Sequence, residues 1–133
     1  MLLSIDEKDE RPLYRQLVAQ VKQQVAAGTL GPGEDLPSVR EVAADLGVNL
    51  HTVRHAYQVL RDQGVIDLPL GRRARVAERR PAPAARDEIA ARLTPLVDEL
   101  VSDAFHLGLA PADVRRLVAE ALKTRTGPSR RTT

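Results

Sequence analysis

The sequence contains no cysteine, so it can build neither a disulfide nor a thiolate metal site, and it cannot sense redox state through thiols. One phenylalanine and two tyrosines leave no aromatic platform for stacking unpaired bases, which argues against single-stranded DNA or RNA as a partner. No apolar run approaches the ~20 residues of a membrane-spanning helix. Met1 is not followed by a signal-peptide pattern, and a cytoplasmic location without membrane contact is expected. A length of 133 residues suits one domain, or one domain with an appendage. The formal net charge is only +2, yet Arg72, Arg73, Arg75, Arg79 and Arg80 crowd into one short stretch where Glu78 is the sole acid. Such a local cluster matters more for phosphate binding than the net value does.

What is present centres on residues 32–54. Ser38 and Glu41 form S-x-x-E, a capping box in which hydroxyl and carboxylate satisfy orphan amides at a helix start. Pro37 keeps the preceding chain extended. Val39, Val42, Ala43 and Leu46 follow at helical spacing, and Gly47 can leave the helix at positive φ. Asn49 is the expected N-cap of a second helix, whose apolar stripe is Val53, Ala56, Tyr57 and Leu60 and which Gly64 ends. His51, Arg54, His55 and Gln58 lie three or four apart, hence on one shared polar face opposite the core. One buried face and one lined with hydrogen-bonding side chains suit the reading of a DNA groove.

The flanks complete a unit. Leu13, Leu17, Val21 and Val25 predict a helix over residues 12–27, with Pro12 in its first turn and Gly28 past its end. Val65-Ile66-Asp67-Leu68 reads as a strand, Pro69-Leu70-Gly71 as a turn and Arg75-Val76-Ala77 as the returning strand. Three helices and a two-stranded hairpin make a winged helix-turn-helix.

Residues 11–77 resemble the DNA-binding domain of the GntR family of bacterial transcription regulators, through Pro12-Leu13-Tyr14, Gly31-Pro32-Gly33, Leu36-Pro37-Ser38, Arg40-Glu41, Thr52-Val53-Arg54 and the segment from Leu60 to Ile66. Val48-Asn49, Thr52-Val53 and Ala56-Tyr57 are similar to the YtrA branch, whose members are short. The resemblance implies that Arg40 reaches the operator, and that Asn49, His51, Thr52 and Arg54 touch bases or phosphates. It makes Gly71 the wing glycine that lets backbone approach the minor groove. Leu50 stands where many members carry a base-reading arginine, so one bidentate guanine contact is missing. The wing reads Gly71-Arg72-Arg73-Ala74-Arg75-Val76 in place of the usual glycine-rich, phenylalanine-bearing version, and its arginine-heavy tip suits a narrow groove.

Arg80-Pro81-Ala82-Pro83-Ala84-Ala85 reads as a proline-stiffened linker. Beyond it Ile89, Leu93, Leu96, Val97, Leu100, Val101, Ala104 and Phe105 form a helical stripe. Pro95 should kink that helix or restart it with Thr94 as cap, and Gly108 ends it. Pro111 opens another helix, with Leu109 and Val114 spaced as a hydrophobic staple and Leu117, Val118, Ala121 and Leu122 continuing the stripe. The expected organisation is a mainly α chain: a winged domain over 11–79, a linker over 80–86, a two-helix dimerisation module over 87–123 and a disordered basic tail over 124–133.

Two helices cannot wall off a core alone, and a second copy is the simplest surface for Leu93, Val97, Leu100, Phe105, Leu117 and Leu122. The alternative is a hairpin that packs back on its own winged domain. The stretch after Arg80 is too short for the large effector-binding or aminotransferase-like domains of longer relatives. Any small-molecule effector would act between the C-terminal helices or against the winged domain.

Plainer readings stand beside these. His51 and His55 have the i, i+4 spacing of zinc ligands, but Val53 occupies the place of a catalytic glutamate and the one further histidine is His106, so no metal site is expected. Arg40 could pair with Glu41 or Asp45, the wing arginines could form a solubilising turn, and Tyr14 and Tyr57 read as core. Residues 6–11 read as a solvated charge run. Asp87-Glu88 and Asp98-Glu99 diverge on their helix, so no catalytic residues and no cofactor are expected. The expected function is a sequence-specific, dimeric, double-stranded DNA-binding regulator, a repressor on a palindromic operator. The resemblance implies control of a transporter operon and of its own gene. The competitors are an architectural or plasmid/phage-type DNA binder without an effector, and a protein-interaction module.

Overall fold

Residues 1–78 and 85–125 are described by the computed structural model. They form two units, one N-terminal and one C-terminal.

The first helix, α1 (Leu13–Ala27), begins one residue later than expected, because Pro12 itself is the N-cap, its carbonyl accepting from the Arg15 and Gln16 amides. Gly28 closes it at φ 83°, a left-handed conformation that suits a residue without Cβ. Leu17, Val18 and Val21 face the core. The polar side of α1 has a structural use that the sequence reading missed. Gln16, Gln20 and Gln24, one helical turn apart, hold the extended N-terminal segment through its backbone. Gln24 Nε2 donates to the Leu2 carbonyl, Gln20 bonds both the amide and the carbonyl of Ser4, and Gln16 Oε1 accepts from the Asp6 amide. The charged run over residues 6–11 is mostly exposed, as expected, but it is tied locally by an Arg11–Asp9 pair at 2.6 Å.

The helix-turn-helix follows the sequence closely. In α2 (Val39–Leu46) Ser38 Oγ accepts the Glu41 amide at 3.1 Å and Glu41 Oε1 accepts the Ser38 amide at 3.2 Å, the full capping box. Gly47 leaves α2 at φ 67°. Asn49 Oδ1 then caps α3 (Leu50–Asp62) by accepting from the His51 amide at 2.8 Å. Val53, Ala56, Tyr57 and Leu60 are buried, and with Leu17, Val21, Leu30, Leu36, Val42, Ile66 and Val76 they make one continuous core.

The wing strands are shorter than expected. Strands β1 (Ile66–Asp67) and β2 (Arg75–Val76) pair antiparallel, with Ile66 opposite Val76 and Asp67 opposite Arg75. Val65 adds one bond, its carbonyl accepting the Ala77 amide, but Leu68 lies outside the ladder. The other edge of β2 pairs with residues 33–36. Gly33 and Val76 bond at 2.9 Å, the Val76 amide donates to Glu34 at 2.9 Å and the Leu36 amide donates to Ala74 at 2.8 Å. The segment leading into α2 is therefore a third extended piece of the wing.

In the C-terminal unit α4 (Arg86–His106) runs unbroken through Pro95. The expected alternative of a restart with Thr94 as cap is excluded. A proline's fixed φ is itself helical, and one missing N–H bond is tolerated in a helix this long. Asp87 and Glu88 sit in its first turn, where carboxylates favour the helix dipole. Gly108, at φ 81°, ends it: its amide donates to Phe105 and that of Leu109 to Ala104. α5 (Pro111–Arg125) starts with the Asp113 carboxylate accepting the Ala110 amide at 2.9 Å. It extends through residues 124 and 125, which the sequence reading placed in the tail. The rest of the expected tail, residues 126–133, and most of the expected linker, residues 80–84, lie outside the described residues.

Candidate nucleic-acid interface

The polar face of α3 is solvent-facing, with His51, Arg54, His55 and Gln58 all exposed and Thr52 partly so. Three of these side chains have a neighbour that holds them. Arg54 Nη1 lies 3.1 Å from His51 Nδ1, one turn away on the same helix. His55 rests on Tyr14 of α1, ring centroids 4.1 Å apart and planes tilted by 32°. Asn49 is exposed and spends its carbonyl oxygen on the cap, so its amide NH2 is the remaining donor. Leu50 packs partly buried against the core, which accounts for a leucine where a base-reading arginine stands in many relatives.

Arg40 is exposed in the first turn of α2 and has no ion pair among the described residues. The expected pairing alternatives fail, because Glu41 is bound by Arg73 and Asp45 makes no salt bridge among the described residues. A cation in a helix's first turn opposes the dipole, so α2 gains nothing from this residue.

At the wing Gly71 adopts φ 71°, and a Cβ placed there would meet nothing within 4 Å. Arg72 is exposed and without an ion pair among the described residues. Arg73 behaves differently. It donates to the Leu36 carbonyl at 3.1 Å and to Glu41 Oε1 at 2.7 Å. Arg75 lies along β2 with its Nε 3.8 Å from the Asp67 carboxylate, an ion pair too long for a hydrogen bond. Arg79 and Arg80 lie outside the described residues.

Two titrations mark the joint between these elements. The Glu41 carboxyl is held below the usual range, chiefly by the Ser38 amide, with the Ser38 side chain and Arg73 adding to the effect. The Tyr57 phenol is pushed up to about 12, first by burial and then by the Glu41 carboxylate. Its hydroxyl donates to the Pro37 carbonyl at 2.6 Å.

The sequence reading placed Arg40 on the first helix of the pair, Asn49 as the cap of the second, His51, Thr52, Arg54 and His55 on that second helix, and Gly71, Arg72 and Arg73 on the wing, and those placements match the structure. It missed the bonds of Arg73 to Leu36 and Glu41 and of Tyr57 to Pro37. No local pattern announces a contact between residues 20, 32 or 37 positions apart. Among the described residues no group of three or more histidines and carboxylates could hold a metal ion. No helix among them is long and apolar enough to cross a membrane.

Comparison with known proteins agrees with this geometry. Residues 13–76 match the family profile described as bacterial regulatory proteins, gntR family. The chain is 36% identical over 77 residues to the transcriptional repressor YtrA of Bacillus subtilis, an alignment spanning 58% of this chain and only 59% of that protein. A crystal structure of a transcriptional antiterminator from Listeria monocytogenes superposes with a TM-score of 0.82 at 32% identity, covering 96% of this chain and 94% of the other. YtrA from Sulfolobus acidocaldarius, a GntR-family transcription factor, gives 0.58 at 34% identity, with 74% and 99% covered. The chain belongs to the GntR family, as a YtrA-like winged helix-turn-helix DNA-binding transcription regulator.

Proposed function

We propose that this protein is a dimeric repressor that binds a palindromic operator in double-stranded DNA. The observation that carries the reading is the coincidence of three exposed features in one unit. These are the polar face of α3, the unpaired Arg40 beside it, and the open wing tip at Gly71 and Arg72. In this reading Asn49, His51 and Thr52 face base edges, Arg40 and Arg54 divide between bases and phosphates, and His55 and Arg72 meet the backbone. The repressor named YtrA in Bacillus subtilis supports the sign of regulation. The resemblance directs the search for targets to its own promoter and to neighbouring transporter genes.

Pairing is argued from the C-terminal unit. Leu93, Val97, Leu100, Phe105, Leu117 and Leu122 are between 38% and 76% exposed, and Ala104 is the one fully buried apolar residue among those described in α4 and α5. Leaving so much apolar surface in water is unfavourable by about 25 cal/mol per Å2, and a second copy of the same helices removes it. An effector, if the protein takes one, would fit the cleft of about 310 Å3 between α4 and α5, lined by Val101, Phe105, Leu109, Val114 and Arg115.

Selection from a random-sequence duplex library, followed by footprinting upstream of the protein's own gene, tests the reading. Enrichment of a two-fold-symmetric sequence supports it. Equal binding of all duplexes favours an architectural role, and no duplex binding at all favours a protein-interaction module.

A further inference from the structure

We infer that Arg73 is a positioning residue that fixes the wing against the start of α2, leaving Arg72 as the wing arginine that meets phosphate. The inference rests on the duplex-binding reading and deepens it.

The two arginines are sequence neighbours, but Arg72 sits in the bend at the wing tip, its amide donating to the Pro69 carbonyl, whereas Arg73 lies on the stretch that leads into β2. Arg72 goes to solvent. Arg73, half exposed, uses two nitrogens of one planar guanidinium on two acceptors, the Leu36 carbonyl at 3.1 Å and Glu41 Oε1 at 2.7 Å. A rigid fork spanning two acceptors on different segments is what arginine supplies and lysine does not. The segment it grips is a joint. The Leu36 amide donates to Ala74, the residue after Arg73, so consecutive wing residues hold both polar groups of Leu36. The next carbonyl, Pro37, takes the Tyr57 hydroxyl from α3, and the next amide, Ser38, goes to the same Glu41 oxygen that Arg73 binds. Wing, α2 and α3 thus meet at residues 36–38.

Charge points the same way. Glu41 lies in the first turn of α2 next to Arg40, on a surface proposed to face phosphates, and an uncompensated carboxylate there would repel them. Arg73 neutralises it. Pulling Arg73 away to a phosphate would strip the Leu36 carbonyl of this donor and re-expose the Glu41 charge.

The test compares Arg73→Ala, Arg73→Lys and Arg72→Ala on duplexes enriched from a random-sequence library by the parent protein, with amide exchange of the free protein as a second measurement. Each phosphate contact contributes about 0.9 to the slope of log affinity against log salt. Arg72→Ala should therefore shallow the slope by about one contact. Arg73→Ala should change the slope by clearly less than Arg72→Ala does, weaken binding about twofold to fivefold at low salt, the range for an exposed ion pair, and speed exchange of the Leu36 and Val76 amides. Arg73→Lys should recover little of either effect. A slope that falls in Arg73→Ala as it does in Arg72→Ala, full recovery in Arg73→Lys, or unaltered exchange of those amides would each overturn the inference. Should the parent enrich no duplex, the duplex-binding reading fails, while amide exchange still decides whether Arg73 holds the wing.

Discussion

The Tyr57 hydroxyl donates to the Pro37 carbonyl at 2.6 Å, so the middle of α3 is bonded to the segment that opens α2. The two helices of the helix-turn-helix are thereby joined through a partly buried polar contact as well as through apolar packing. Such a contact is sensitive to loss, because the hydroxyl comes from a buried tyrosine and its acceptor is partly withdrawn from water.

Tyr57→Phe should lower stability by about 1 kcal/mol at neutral pH. The pH dependence gives a second signature. The phenol is raised from its ordinary 10.0 to about 12 in the folded chain. The unfolded chain therefore loses this proton first, so the contribution is whole below the ordinary value and disappears as pH rises through the folded one. Urea midpoints measured from neutral pH into this alkaline range should fall more steeply for the parent than for Tyr57→Phe. Parallel alkaline limbs would contradict the assignment.

Ser38→Ala removes the cap hydroxyl of α2 and should cost about 1 kcal/mol. Glu41 tests the other half of the box. Its folded carboxyl is lowered, chiefly by the Ser38 amide, so its contribution is present above the ordinary carboxylate range and is lost as pH falls through the lower folded value. Glu41→Gln should flatten the acid limb of the stability curve, as measured by urea unfolding across the acid range. An acid limb as steep as the parent's would show that the carboxylate carries no linkage.

Substitutions at the groove-reading face should separate into two kinds. Loss of a good base contact costs about 1–3 kcal/mol and relaxes sequence preference, whereas loss of a phosphate contact weakens all duplexes alike. His51→Ala is expected in the first class, with Arg40→Ala and Arg54→Ala between the two. Because Arg54 lies 3.1 Å from His51, those two should be non-additive. Fluorescence titration of selected and scrambled duplexes is the check, and parent-like binding in all three variants would remove this face from the interface.

Gly71→Val asks whether the wing backbone approaches DNA. Its Cβ would meet no neighbour in the free protein, so the stability loss should be confined to the left-handed backbone, about 1–2 kcal/mol. Duplex binding should fall by more than this loss explains. Binding that tracks stability alone would keep the tip clear of the groove.

Pairing predicts that the full chain sediments as a dimer at micromolar concentration. Val97→Asp combined with Leu100→Asp should shift it toward monomer and lower affinity for a palindromic duplex more than for a half-site, by loss of effective concentration. A parent chain that stays monomeric while binding a palindrome tightly would rule out the arrangement. In a dimer the two readers would address sites about 34–36 Å apart, or a multiple of that.

Much of this protein was legible because its information is local. A capping box spans four residues, an apolar stripe repeats with the helical turn, and Gly47 and Gly71 mark bends that other residues resist. The exposed face of α3 follows from the same periodicity, since burying Val53, Ala56, Tyr57 and Leu60 forces His51, Arg54 and His55 outward. Contacts between distant residues were not legible. Nothing local distinguishes the Arg73 that grips Leu36 and Glu41 from the Arg72 that faces water, or sets Gln16, Gln20 and Gln24 apart as the holders of the N-terminal segment. Nor could the sequence decide between a restart and a continuous helix at Pro95, because proline's φ fits both. The amino-acid sequence determined the elements and their faces, through short-range hydrogen bonding and the drive to bury apolar stripes. Only the tertiary structure decided which polar groups meet across those elements, because that depends on where the packed core brings separate backbone segments within hydrogen-bonding distance.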